Sequence, residues 1–117
     1  MSQVQEAGLG GAIRFLHPGV PPNQIPGQGD PRLYSARDIA QIMACDVLFA
    51  YFDLSVNRGL GASVEMGLAY SLQKRIIMVD MSPEIGSLGL NRALADAVWP
   101  SLAEGVAHLD FVARGFL

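Results

Sequence analysis

The feature that most constrains this chain is a pair of short, unbroken apolar runs, Val47-Leu48-Phe49-Ala50-Tyr51-Phe52 and Ile76-Ile77-Met78-Val79. Neither alternates between apolar and polar residues, so neither suits a strand with one wet face. Runs of this kind belong to strands covered on both sides, as in a parallel sheet packed between helices. Ala12-Ile13-Arg14-Phe15-Leu16 and Ala97-Val98-Trp99 are weaker strand candidates. Helix-period segments lie between the runs. Ser35-Ala36-Arg37-Asp38 has the form of a capping box and predicts a helix in which Ile39, Ile42 and Met43 share the buried face. A second helix is expected from about Ala62 to Gln73, with Val64, Leu68 and Leu72 buried. A short helical piece is expected within residues 83–95. Ser101-Leu102-Ala103-Glu104 is another capping box and opens a last helix carrying Val106, Leu109, Val112 and Ala113.

Strands alternating with helices predict an α/β fold, a small, open, mostly parallel sheet flanked by helices and joined by right-handed crossovers. Its 117 residues make one domain, residues 1–117. Half the residues are hydrophobic and 16% are charged, enough for a real core and too apolar for a disordered chain. No apolar run approaches the roughly 18 residues that span a bilayer, and MSQVQEAG lacks the order of a signal peptide. A net charge of −3 with no Lys/Arg cluster argues against nucleic-acid binding. One cysteine, Cys45, excludes an internal disulfide and an all-cysteine metal site; beside an apolar strand it reads as an inert core thiol of raised pKa. The expectation is a soluble cytoplasmic domain with no membrane partner.

Ligands in open parallel sheets sit beyond the carboxyl ends of the strands. That edge is expected at residues 17–34, 53–61 and 80–90, which hold most of the Gly and Pro. Asp53-Leu54-Ser55-Val56-Asn57-Arg58-Gly59-Leu60-Gly61 leads from a strand into the helix that carries Glu65. Gly59 and Gly61 permit close backbone approach or positive φ, although a tight turn explains them as well. The pattern is neither a dinucleotide fingerprint nor a phosphate loop. Glu65 is expected in the first helical turn, where the ionised carboxylate is favoured; acids stand there for helix stability too, so position alone leaves its purpose open. His17 and His108 show no partner spacing, and Met43, Met66 and Met78 fall at core positions.

From Ser35 to Asp80 the chain resembles the nucleoside 2-deoxyribosyltransferase family. The residues that carry the resemblance are Asp38, Asp46-Val47-Leu48, Gly59-Leu60-Gly61, Glu65-Met66-Gly67-Leu68-Ala69 and Gln73-Lys74-Arg75-Ile76-Ile77, in order and over about 46 of 117 residues. The resemblance implies a flavodoxin-like three-layer fold and an enzyme that cleaves or transfers the N-glycosidic bond of a (deoxy)nucleoside or nucleotide. Glu65 maps onto the nucleophile that forms a glycosyl-enzyme intermediate, and Asp38 onto the acid that contacts the departing base. Asp46 reads as structural. Asp53 and Asn57 are candidates for sugar hydroxyls, against the plainer reading that loop polar groups are solvated. No metal or organic cofactor is implied. Two departures stand out. Gly59 occupies the place of the family's sugar-binding Asp or Ser, with Arg58 beside it able to meet a 5′-phosphate. One β-α unit is also absent at the N-terminus. Either residues 12–16 take the central strand's place, or another chain or segment completes the sheet; a homo-oligomer is expected. Two alternatives stay open: a catalytically silent nucleotide-binding or assembly module of the same fold, and a flavin-binding or signalling domain.

Overall fold

The structure is a computed structural model, and it describes residues 12–16, 31–54, 60–81 and 88–115. The expected alternation is present: β1 (Ala12–Leu16), α1 (Pro31–Ala44), β2 (Cys45–Phe52), α2 (Leu60–Ser71), β3 (Arg75–Asp80), α3 (Gly89–Leu94), β4 (Ala97–Trp99) and α4 (Leu102–Ala113). The four strands form one all-parallel open sheet in the order β1-β2-β3-β4. β2 and β3 run in register from Val47 opposite Arg75 to Phe52 opposite Asp80. β1 lies directly against β2, with Ile13 opposite Val47 and Leu16 opposite Ala50. β1 is an edge strand of the described sheet, beside β2, and no described strand pairs with its outer side.

Because each crossover adds a strand in the same direction, right-handed connections place α1, α2 and α3 on one face. That face is sealed by Leu16, Leu48, Ala50, Phe52, Ile76 and Met78 from the sheet against Ile42, Ala62, Met66, Ala69 and Leu88. The chain leaves β4 and returns across the opposite face as α4, whose Leu109, Val112 and Ala113 pack on Val47, Phe49, Ile77 and Val79. Gly105 makes the close approach of α4 possible, since a Cβ there would collide with the Val79 side chain and press on the Phe49 ring. At the other end of this face Phe15 is partly exposed, its ring 5.3 Å from that of Phe49. Each fully buried aliphatic or aromatic side chain contributes about 1.5–3 kcal/mol through removal from water. β3 is buried over five of its six residues, as an unbroken apolar run requires.

The helices depart from the expected phases. α1 begins at Pro31, not at Ser35. Proline at the first helical position has its φ already set and lacks an N–H that would go unbonded there, which outweighs the Ser35 signal. Of the three residues expected to face inward, only Ile42 is buried; Ile39 is half exposed and Met43 is 60% exposed, so Met43 is not a core residue. α2 starts two residues earlier than expected and buries Ala62, Met66 and Ala69, while Val64 is 72% exposed, Leu72 is exposed and Leu68 packs only in part. Small Ala and flexible Met let the helix lie close to the sheet, and this closeness overrides the larger aliphatics. α2 ends at Ser71 because Gln73 turns left-handed (φ 59°) and Lys74 N–H bonds back to the Ala69 carbonyl. In α4 the expected Ser101 cap is present, its hydroxyl accepting from Glu104 N–H at 3.3 Å, but Val106 stays partly exposed and is not a core residue.

Candidate functional site

Alternation along β1 turns Ile13 toward α4, and Arg14 and Leu16 toward α1 and α2. Arg14 is therefore a charged side chain extended beneath two helices from an edge strand. It meets acids from both. Its Nε and Nη2 donate to Glu65 Oε1 at 3.2 and 2.9 Å, Nη2 also lies 3.2 Å from Asp38 Oδ1, and Nη1 donates to Gln41 Oε1 at 2.7 Å. Because Asp38 Oδ1 and Glu65 Oε1 share one guanidinium nitrogen, they lie no more than about 6 Å apart. All three side chains keep only a fifth to a quarter of their surface exposed.

This arrangement changes two expectations about electrostatics. Since α2 starts at Leu60, Glu65 stands beyond the first turn, and the dipole of the helix start does not favour its ionised form. The carboxyl is instead pushed up from its ordinary value. Burial is the largest cause, Arg14 and its hydrogen bonds oppose it, and the Asp38 charge adds to it. Glu65 at neutral pH is consequently less fully ionised than an exposed glutamate. Asp38 lies inside α1 rather than at a helix cap, so its capping role falls away and its partner is Arg14.

Of the other predicted residues, those that are described are not gathered here. Asp53 is half-buried just after β2. Gly61 lies within the first turn of α2, has no positive φ, and a Cβ on it would meet nothing within 4 Å, so neither a hinge nor crowding requires glycine there. Asn57, Arg58, Gly59 and His17 lie outside the described residues. Asp46 is exposed at the start of β2. His108 packs against Trp99 with ring centroids 5.6 Å apart. Burial pushes the Cys45 thiol up, as expected; it donates to the Ile42 carbonyl at 3.2 Å.

The sequence reading missed Arg14 and Gln41. The signal for Arg14 was available, as the one charge in the otherwise apolar Ala12–Leu16 strand; nothing local marked Gln41. A second ionic contact, Arg92 Nη1 to Asp80 Oδ2 at 2.8 Å, lies at the carboxyl end of β3, beside the buried Asn91, whose amide donates to Ser63 Oγ at 3.0 Å. A polar hollow of about 500 Å³ is lined, among the described residues, by Tyr70, Ser71, Gln73, Lys74, Leu94 and Asp96, none of them a predicted site residue. Among the described residues no three His, Cys, Asp or Glu side chains gather to hold a metal ion, and no helix is long and apolar enough to cross a membrane.

Fold and site together define a parallel α/β domain with a guanidinium-bridged pair of carboxylates beside an edge strand. The chain matches no known protein family, no curated protein and no solved structure.

Proposed function

We propose that this domain is a cytoplasmic enzyme that cleaves or transfers the N-glycosidic bond of a (deoxy)nucleoside or nucleotide, with Glu65 as nucleophile and Asp38 as the acid at the departing base. The observation that carries this reading is the meeting of Asp38 and Glu65, 27 residues apart in sequence, on one nitrogen of Arg14. Carboxyl groups about 5–5.5 Å apart suit a double displacement, whereas separations of roughly 6.5–9.5 Å leave room for a directly attacking water. Arg14 holds Asp38 Oδ1 and Glu65 Oε1 within about 6 Å of each other, which is compatible with the former. Glu65 bonds to the anomeric carbon as the C–N bond breaks; the electron pair leaves on the base, which takes a proton through Asp38. An acceptor base or water then attacks the same carbon, frees Glu65 and returns a proton to Asp38. The outer edge of β1, unpaired among the described residues, and the partly exposed Phe15 favour a homo-oligomer, because an unpaired edge is a template for a second chain.

The test is incubation with deoxynucleosides and their 5′-monophosphates, with free base measured by chromatography, alongside Glu65→Gln. Base release by the native chain and its loss in Glu65→Gln support the assignment; undiminished release by the variant removes it. A second reading, a catalytically silent nucleotide-binding or assembly module, is favoured by the ion pair itself, because Arg14 already occupies one Glu65 oxygen. Ligand-dependent thermal stabilisation without base release decides for that reading.

A further inference from the structure

Arginine commonly meets a carboxylate as a fork, one nitrogen to each oxygen. Here Nε and Nη2 both converge on Oε1 of Glu65, Nη2 also serves Asp38, and Nη1 is taken by Gln41. All three guanidinium nitrogens are engaged, and among the described residues no hydrogen bond reaches Glu65 Oε2. The Glu65 side chain keeps 18% of its surface exposed, and Oε2 is not among the buried side-chain polar atoms without a partner in the described residues. The carboxylate is thus held by one oxygen, with no partner among the described residues at the other.

We infer that Arg14 is a positioning residue that pins Glu65 through Oε1 and reserves Oε2 as the atom that attacks the sugar. The inference rests on the glycosyl-transfer reading of the site and adds a residue to it. In the first half-reaction the Oε2–carbon bond forms as the carbon–base bond breaks. In the second, the acceptor displaces Oε2, and the electron pair of the broken ester bond returns to a carboxylate that Arg14 already contacts. Pinning one oxygen fixes the carboxyl plane before substrate arrives, and a misplacement of about 1 Å at such a site costs on the order of 100-fold in rate. Gln41 holds the far side of the guanidinium and keeps Arg14 from swinging onto Oε2.

The experiment uses the full chain labelled with ¹³C at the glutamate carboxyls. Only four glutamates are present, and Glu65 is assigned by the signal lost in Glu65→Gln. Charged groups facing Glu65 among the described residues are Arg14 from β1 and Asp38 from α1. In Arg14→Met the Glu65 titration midpoint is expected to move to higher pH than in the native chain, and in Arg14→Lys to fall between the two. Base release in Arg14→Met is expected to lose about 100-fold in kcat with KM within about twofold, and Arg14→Lys to recover part of it. Arg14→Gln replaces Arg14→Met if cooperative thermal unfolding shows that the methionine variant does not fold. An unchanged Glu65 midpoint, or native kcat in the folded variant, overturns the inference. Absence of base release by the native chain removes the glycosyl-transfer reading instead, while the titration still reports whether Arg14 holds Glu65.

Discussion

Two of the arginine–carboxylate contacts among the described residues differ in kind. At the carboxyl end of β3, Arg92 meets Asp80, whose side chain is wholly buried. On the flank of β1, Arg14 meets two carboxylates, each about a fifth to a quarter exposed, with negative charge in excess. The first resembles a structural contact, in which a buried charge demands its partner and has nothing to offer solvent. The second leaves a carboxyl under opposing influences, desolvated and faced by a like charge yet held by a cation, which is the environment that tunes a reactive acid. Burial of a charge and its availability for chemistry are separate properties, and the two contacts sit at different points between them.

The comparison breaks most sharply under substitution of the acids and their arginines. Glu65→Gln is expected to lower base release by about a thousandfold or more while the fold persists, as measured by chromatography and circular dichroism. Arg92→Met is expected to do the reverse, costing about 3–5 kcal/mol in denaturant unfolding because it removes a partner of a buried charge, with base release per folded molecule unchanged. Equal effects of the two changes on activity would erase the distinction.

The pH responses sharpen it. The folded-state pKa of Glu65 lies above its unfolded value, so the folded chain binds more protons between the two. The stability contribution of Glu65 is fully present below the unfolded pKa and is lost as pH rises through the folded pKa. If Glu65 is the nucleophile proposed above, activity runs oppositely, because it must be ionised: kcat/KM is expected to rise with pH along a limb displaced upward from that of an ordinary glutamate. Glu65→Gln is expected to flatten the corresponding part of the stability profile, measured as unfolding midpoints across pH; a profile identical to that of the native chain would refute the assignment.

The glycines give the smaller effects. Gly105→Ala drives a methyl into Val79 and Phe49 beneath α4 and is expected to destabilise by about 1–3 kcal/mol. Gly61→Ala meets open space within a helix and is expected to stabilise by up to about 1 kcal/mol. Denaturant unfolding of the pair checks both signs.

Strand identity was legible because β2 and β3 are buried on both faces, and a run of apolar side chains written without alternation has few other places to go. Helix phase was less legible. In α2 the sequence offers Val64, Leu68 and Leu72 as an apolar stripe, yet Ala62, Met66 and Ala69 form the buried one; both stripes have helical spacing, and only the available room between helix and sheet chooses between them. Glu65 and Asp38 could be named from the chain, but their meeting could not. It depends on Arg14, which reaches both acids only because β1 pairs directly with β2.

Local order, the four strands and four helices among the described residues and the cap at Ser101 follow from side-chain size, branching and hydrogen-bonding capacity, which act over a few residues and are written in the chain itself. The charge state of Glu65, the partner of Asp38 and the uneven cover of the two sheet faces arise from desolvation and Coulomb interaction between groups distant in sequence. Both depend on separation in space, and that is set only when the sheet assembles.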